Sequence, residues 1–208
     1  MKTIRVVHYL NQFFGQLGGE EMANLPPRIV DGPVGFGVTL KGASGGRVEI
    51  VRTVICGDNY AAENTEELAK EVLRWVSEIS PDLFLAGPAF GAGRYGIAAG
   101  TLCKEVRGKL GIPAVTAMHP VNPGASIAGP EVFVIEAKDT AQDLKRVLPL
   151  MVSIGTRLVD GLPIGSPGGE GYLPRGVRVN VRASERGSAR AVQMLLKKLA
   201  GEPFETEL

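Results

Sequence analysis

The chain has 208 residues, enough for one ordinary α/β domain with trimmings or one domain plus a tail. Hydrophobic residues make up 44% and charged residues 22%, the balance of a globular protein with a true core. A formal net charge of +1 gives no field of one sign, which argues against nucleic acid or a lipid surface as partner.

Short apolar runs recur along the chain, each bounded by glycine or proline. Ile4–Leu10 reads as a first strand, and Glu49–Cys56, rich in β-branched residues, as a second. Asp82–Ala86, Ala114–Met118 and Val132–Ala137 follow. Near-continuous apolar strands of this kind suit a parallel sheet buried on both faces. Between them lie amphipathic helices. Glu66–Ile79 puts Leu68, Val72, Leu73, Val76 and Ile79 on one face, with Asn64 or Thr65 as N-cap and Pro81 as the stop. Gly93–Leu110 is a second helix, ended by Gly111 and Pro113, and Thr140–Val159 a third, ended by Gly161. Strands alternating with helices imply βαβ units. The expected fold is α/β: a Rossmann-like or flavodoxin-like open parallel sheet over residues 1–162, with helices on both faces. Residues 163–208 differ in character. Pro163–Arg186 reads as an extended arm, Ser188–Leu199 as an amphipathic helix, and the last residues as the beginning of a linker.

The two cysteines, Cys56 and Cys103, belong to no C-x-x-C and no cysteine/histidine cluster, so no metal site is expected. Both read as small buried side chains in a reducing compartment. MKTIRVVHYLNQFF does not resemble a signal peptide, and no run approaches the roughly 18 apolar residues of a membrane span. A soluble, cytoplasmic protein is the expectation.

Ligands of open parallel sheets bind beyond the carboxyl ends of the strands. The residues expected there are Asn11, Gln12, Phe13, Phe14, Glu20 and Glu21 after the first strand. Asp58 and Asn59 follow the second, Phe90 and Gly91–Gly96 the third, and His119 and Asn122 the fourth. The cleft candidates are therefore Asn11, Gln12, Asp58, Asn59, Gly91, Gly93, Arg94, Tyr95, Gly96 and Asn122. His119 and Glu20 are the candidates for acid–base work. Gly91–Gly96 spells G-x-G-x-x-G between a strand and a helix. It is not in the first βα unit, however, and His119 stands where a ribose-binding acid would be. A close backbone turn or a carboxylate site suits it better than a nucleotide. Arg94, in the first helical turn, could pair with a carboxylate, or serve as an ordinary surface arginine. His8, inside a strand, reads as a packed core residue. No nucleophile–base pair is legible.

Several long segments resemble the selenoprotein B subunit of the glycine/sarcosine/betaine reductase family. They are VVHYLNQFFGQLGGEE, TVICGDNYAAEN, PDLFLAGPAFGAGRYGIAAGTLCKEV, GSPGGEGYLPRGVRVN and AVQMLLKKLAGEPFETEL, spread over essentially the whole chain. The resemblance implies a subunit of an oxidoreductase complex of amino-acid-fermenting anaerobes. In that family, a pyruvoyl-containing component B subunit binds the substrate amine and a selenocysteine attacks the activated α-carbon, cleaving the C–N bond. The carboxymethyl group passes to selenoprotein A and ends as acetyl phosphate, with electrons from the thioredoxin system. The family's selenocysteine motif lies in a second α/β domain that follows the segments matched here, and neither Cys56 nor Cys103 fits it. The resemblance thus implies a scaffolding and docking domain, inactive alone, with the pyruvoyl group and selenocysteine held elsewhere. The competing expectations are a stand-alone small-molecule binding module using the strand-end cleft, and an NAD(P)-dependent oxidoreductase resting on Gly91–Gly96. The arm and last helix need a covering surface, which a homodimer could supply.

Overall fold

The computed structural model describes residues 3–176, 183–204 and 206. Residues Ile4–Asn11 form β1, Arg28–Asp31 β2, Val48–Cys56 β3, Leu83–Phe90 β4, Ala114–Met118 β5 and Phe133–Glu136 β6. They make one six-stranded sheet in the order β2-β3-β1-β4-β5-β6. All pairs are parallel except β2 with β3, which is antiparallel. Taken alone, the five parallel strands run 2-1-3-4-5 in chain order, the flavodoxin-like winding. From β1 the chain crosses to β3 on one side, then returns to β4 on the other. The switch point therefore lies between β1 and β4.

The pleat explains why these strands read as unbroken apolar runs. On β1, Val7 and Tyr9 face one core while Ile4 and Val6 face the other; on β4, Phe84 and Ala86 alternate likewise with Leu83 and Leu85. The first core is closed by Thr65–Ile79 (α3) and Gly93–Leu110 (α4), the second by Phe36–Ala43 (α1) and Leu144–Val159 (α6). Asp58–Glu63 (α2) and Pro123–Ala128 (α5) pack beside α4. Leu85 is fully buried, and truncating such a residue to alanine costs about 2–5 kcal/mol.

The structure departs from the sequence expectation in local detail and in added elements. Asn64 does sit at the N-cap of α3, but its side chain does not cap the helix; it donates instead to the Tyr60 carbonyl at 3.1 Å. α6 begins at Leu144, not Thr140, because Ala141–Asp143 form a 3-10 turn. The Asp143 carboxylate holds that turn, accepting from the Lys138 amide at 2.8 Å and from Arg146 at 2.7 Å. β2, α1, α2 and α5 were unanticipated, and all but α2 lie in glycine- or proline-rich stretches. The start of α5 has a local cause: Asn122 accepts from the Gly124 amide at 3.0 Å and Pro123 opens the helix.

The compact unit runs to Arg175. Its last segment, with a short helix at Pro167–Glu170 (α7), is strapped to β6. Tyr172 bridges to Ile135, the Leu173 amide donates to Val134 at 2.8 Å, and the Arg175 guanidinium lies 3.4 Å from the Phe133 ring centre. The Tyr172 hydroxyl donates to the Gly165 carbonyl at 2.9 Å, and Arg157 pairs with Glu170. The second unit, from Gly176, contains Gly187–Ala200 (α8). This helix exposes Val192, Leu195, Leu196 and Leu199. The rest of the expected arm, residues 177–182, lies outside the described residues. No helix among the described residues is long and apolar enough to cross a membrane.

Candidate active-site crevice

The carboxyl ends of β1 and β4 frame the switch point, and the chain gathers most of the expected polar residues on one side of it. Asn11 closes β1. Its side-chain oxygen accepts from the Phe14 amide at 2.9 Å and its amide donates to Asp58 Oδ2 at 3.0 Å. The Gln12 side chain accepts from the Asp58 backbone amide at 3.0 Å. Asp58, the first residue of α2, is 9% exposed, and its Oδ1 is buried without a partner. Burial raises its pKa, opposed in part by the Asn11 hydrogen bond and the Arg94 charge. Asp58 caps no helix by its side chain.

Arg94 donates to Glu20 at 2.9 Å and to the Asn59 side chain. The carboxylate partner expected for Arg94 is thus internal. Tyr95 stacks at 5.9 Å on Tyr9, and both phenols are pushed up by burial first and by the Asp58 charge. The Tyr9 hydroxyl is buried with no partner. Asn11, Gln12, Glu20, Asp58, Asn59, Arg94 and Tyr95 therefore form one cluster.

The other candidates serve different ends. Asn122, 3% exposed, donates to the carbonyls of Phe90 at 2.9 Å and Ala92 at 3.1 Å, clamping the β4–α4 turn. Gly96 makes room for it: a Cβ there would fall 2.1 Å from the Asn122 side chain. A Cβ on Gly124 would fall 2.0 Å from the Gly96 carbonyl oxygen. Helix packing accounts for Gly96, whereas a Cβ on Gly93 would meet nothing within 4 Å. His119 is half-buried, with Nδ1 accepting from the Val121 amide at 3.3 Å; no hydrogen bond to the Asp58 cluster is found among the described residues. His8 is fully buried, its Nε2 donating to the Gly87 carbonyl at 2.7 Å, and burial pulls it down to about 4.

On the α1/α6 side the crevice widens into a cleft of about 670 Å³. Phe13, Phe14, Phe36 and Phe90 line it, with Gly91 and Asp139. Of these, Phe36 and Asp139 escaped sequence reasoning. Phe36 opens a helix that a glycine-rich stretch concealed. Asp139 follows β6, whose loop carried no motif. Phe90 has φ 51, in the left-handed region that a bulky side chain rarely adopts.

The family model described as glycine/sarcosine/betaine reductase selenoprotein B matches residues 3–208. The chain belongs to this family. It is 52% identical over 208 residues to the glycine reductase complex component B subunit gamma of Carboxydothermus hydrogenoformans, covering 100% of this chain and 48% of the relative. It is 46% identical over 207 residues to the sarcosine reductase complex component B subunit beta of Peptoclostridium acidaminophilum, covering 100% of this chain and 48% of that relative. The betaine reductase complex component B subunit beta of the same organism is 41% identical over 207 residues, with 98% of this chain and 47% of the relative covered. The chain thus spans about half the length of these relatives. No solved structure matches it.

Proposed function

We propose that this chain is the N-terminal half of the B component of a glycine, sarcosine or betaine reductase. In this role it cleaves nothing itself. It forms one wall of the active site and docks the pyruvoyl-containing subunit, while a selenocysteine outside these 208 residues attacks the α-carbon. The observation that carries the proposal is similarity over the whole chain to B subunits of all three reductases. The switch-point crevice supports it by position, since open α/β sheets bind their ligands there.

Within that wall, the Asn11–Asp58–Gln12 cluster is the part suited to proton handling. Asp58 is the group placed for it: it is buried, burial raises its pKa, and one of its oxygens has no partner among the described residues. C–N cleavage needs a proton for the departing amine, and Asp58 is the candidate to supply it. Arg94 and Glu20 hold the rim. The Gly91–Gly96 motif, with Gly96 occupied by Asn122, does not favour a nicotinamide nucleotide.

The test is turnover. A complete B component carrying this segment, assembled with its pyruvoyl subunit, selenoprotein A and component C, is assayed for acetyl phosphate with glycine, sarcosine and betaine. The proposal predicts turnover of at least one amine and none from the chain alone. Failure of the full complex on all three sinks it. Strong thermal stabilisation by a nicotinamide nucleotide would favour an NAD(P)-dependent oxidoreductase instead.

A further inference from the structure

Arg94 stands at the rim of the crevice with a role that scaffolding leaves open. One terminal nitrogen donates to Glu20 Oε1 at 2.9 Å and the other to the Asn59 side chain. The guanidinium is thus divided between two partners by single bonds. The paired, parallel contact that a guanidinium can make with one carboxylate is not used by Glu20. Both members of the ion pair are exposed, the Arg94 side chain by 47% and that of Glu20 by 73%. Pairs this exposed contribute little to stability. Glu20 belongs to a 3-10 turn, Glu20–Met22, that buries none of its residues, and Arg94 is its one ion-pair partner among the described residues. A competing carboxylate therefore displaces Glu20 at small cost.

Asp58 is the deeper member of the same cluster. The Arg94 charge acts on it, but no hydrogen bond joins the two among the described residues. The Asn11 amide takes only Asp58 Oδ2, and Oδ1 is left buried and unpartnered. A guanidinium and an unpartnered carboxylate oxygen, held apart in one crevice, are complementary to a small molecule bearing both charges. Its carboxylate would face Arg94 and its nitrogen Asp58. The relatives are named for reductases of glycine, sarcosine and betaine, which differ in the methyl groups on nitrogen and share one carboxylate. A wall that serves any of them needs a cation for that common group.

We propose that Arg94 is the carboxylate-binding residue of this wall, and that Glu20 is its internal competitor, displaced when a ligand carboxylate arrives. The carboxylate site stands on the geometry of Arg94, Glu20 and Asp58. That the carboxylate is the one carried by the amine substrate rests on the reductase proposal.

The probe is acetate, with acetamide as its uncharged counterpart. Each is titrated into the ¹⁵N-labelled chain at constant ionic strength while the Arg94 side-chain resonance is followed by NMR. Glu20→Gln is expected to bind acetate about twofold to fivefold more tightly than the parent, because the competitor has lost its charge. Arg94→Gln is expected to weaken acetate by about tenfold or more, and acetamide to shift nothing. Both substitutions alter exposed side chains, so the fold is retained, as circular dichroism checks. In the complete B component, Arg94→Gln should raise KM for the amine by about tenfold to a hundredfold, and Glu20→Gln should lower it by about twofold to fivefold. An ion pair that only braces the fold would move both variants the same way. Equal acetate affinity in the parent and Glu20→Gln, binding that survives Arg94→Gln, or no acetate binding to Glu20→Gln overturns the proposal, whatever the turnover assay gives. An inactive complex counts against the reductase proposal and leaves the acetate result standing.

Discussion

Replacing Gly96 by alanine separates a packing role for the G-x-G-x-x-G segment from a nucleotide-binding one. The new methyl would sit 2.1 Å from the Asn122 side chain, so Asn122 must leave its place. It then loses hydrogen bonds to the Phe90 and Ala92 carbonyls and from the Gly124 amide. At about 1 kcal/mol each, the loss is about 3 kcal/mol. Alanine is the better helix former inside α4 by about 1 kcal/mol. The net is about 2 kcal/mol of lost stability, or a fall in Tm of about 4–8 °C for a chain of this size. Gly93→Ala, three residues earlier in the same motif, meets nothing within 4 Å and is expected to be neutral to about 1 kcal/mol stabilising. Urea unfolding of the two variants beside the parent makes the comparison. If Gly96→Ala is as stable as the parent, or if the two substitutions cost the same, the packing explanation is wrong.

Acid stability follows from His8. Its folded pKa of about 4 lies below the ordinary 6.5, so the unfolded chain takes up the proton first as pH falls. Stability is therefore fully present above about pH 7, declines between 6.5 and 4, and has lost about 3 kcal/mol from this group below that. Denaturant midpoints across pH should show the step, and His8→Gln should remove it; a parent profile flat from pH 7 to 4 would refute the assignment. The thiols give a further check. Cys56 is pushed up to about 12 and Cys103 higher still, both by burial. Neither should react with a disulfide reagent at pH 8 in the native chain, and both should in urea; rapid native labelling would show that the core opens.

Much of the architecture was legible in the sequence because burial on both faces leaves unbroken apolar strands, and because α3 and α4 end on Ser80–Pro81 and Gly111. Most of the segments that were not legible share a cause. β2 is an edge strand with only partial burial, and α1 and α5 are short helices rich in glycine or proline. Local propensity does not announce them; their packing creates them. The polar half of the crevice could be assembled from strand ends alone, since Asn11 and Asp58 each follow an obvious strand. The aromatic half could not. Phe13, Phe14 and Phe90 were visible at those ends, but only the fold brings Phe36 and Asp139 to them from 22 or more residues away in sequence, as the cleft lining shows.

The most direct test of the proposed active-site wall is Asp58→Asn in the complete B component. The variant keeps the shape of the side chain and its Asn11 contact while removing the ionisable group. Burial disfavours the ionised carboxylate, so a neutral amide of the same shape should leave the fold intact. The complex should assemble normally. Acetyl phosphate formation should fall by about 10²–10⁴-fold, the range for loss of a general acid. Unchanged turnover in an assembled complex would contradict the account.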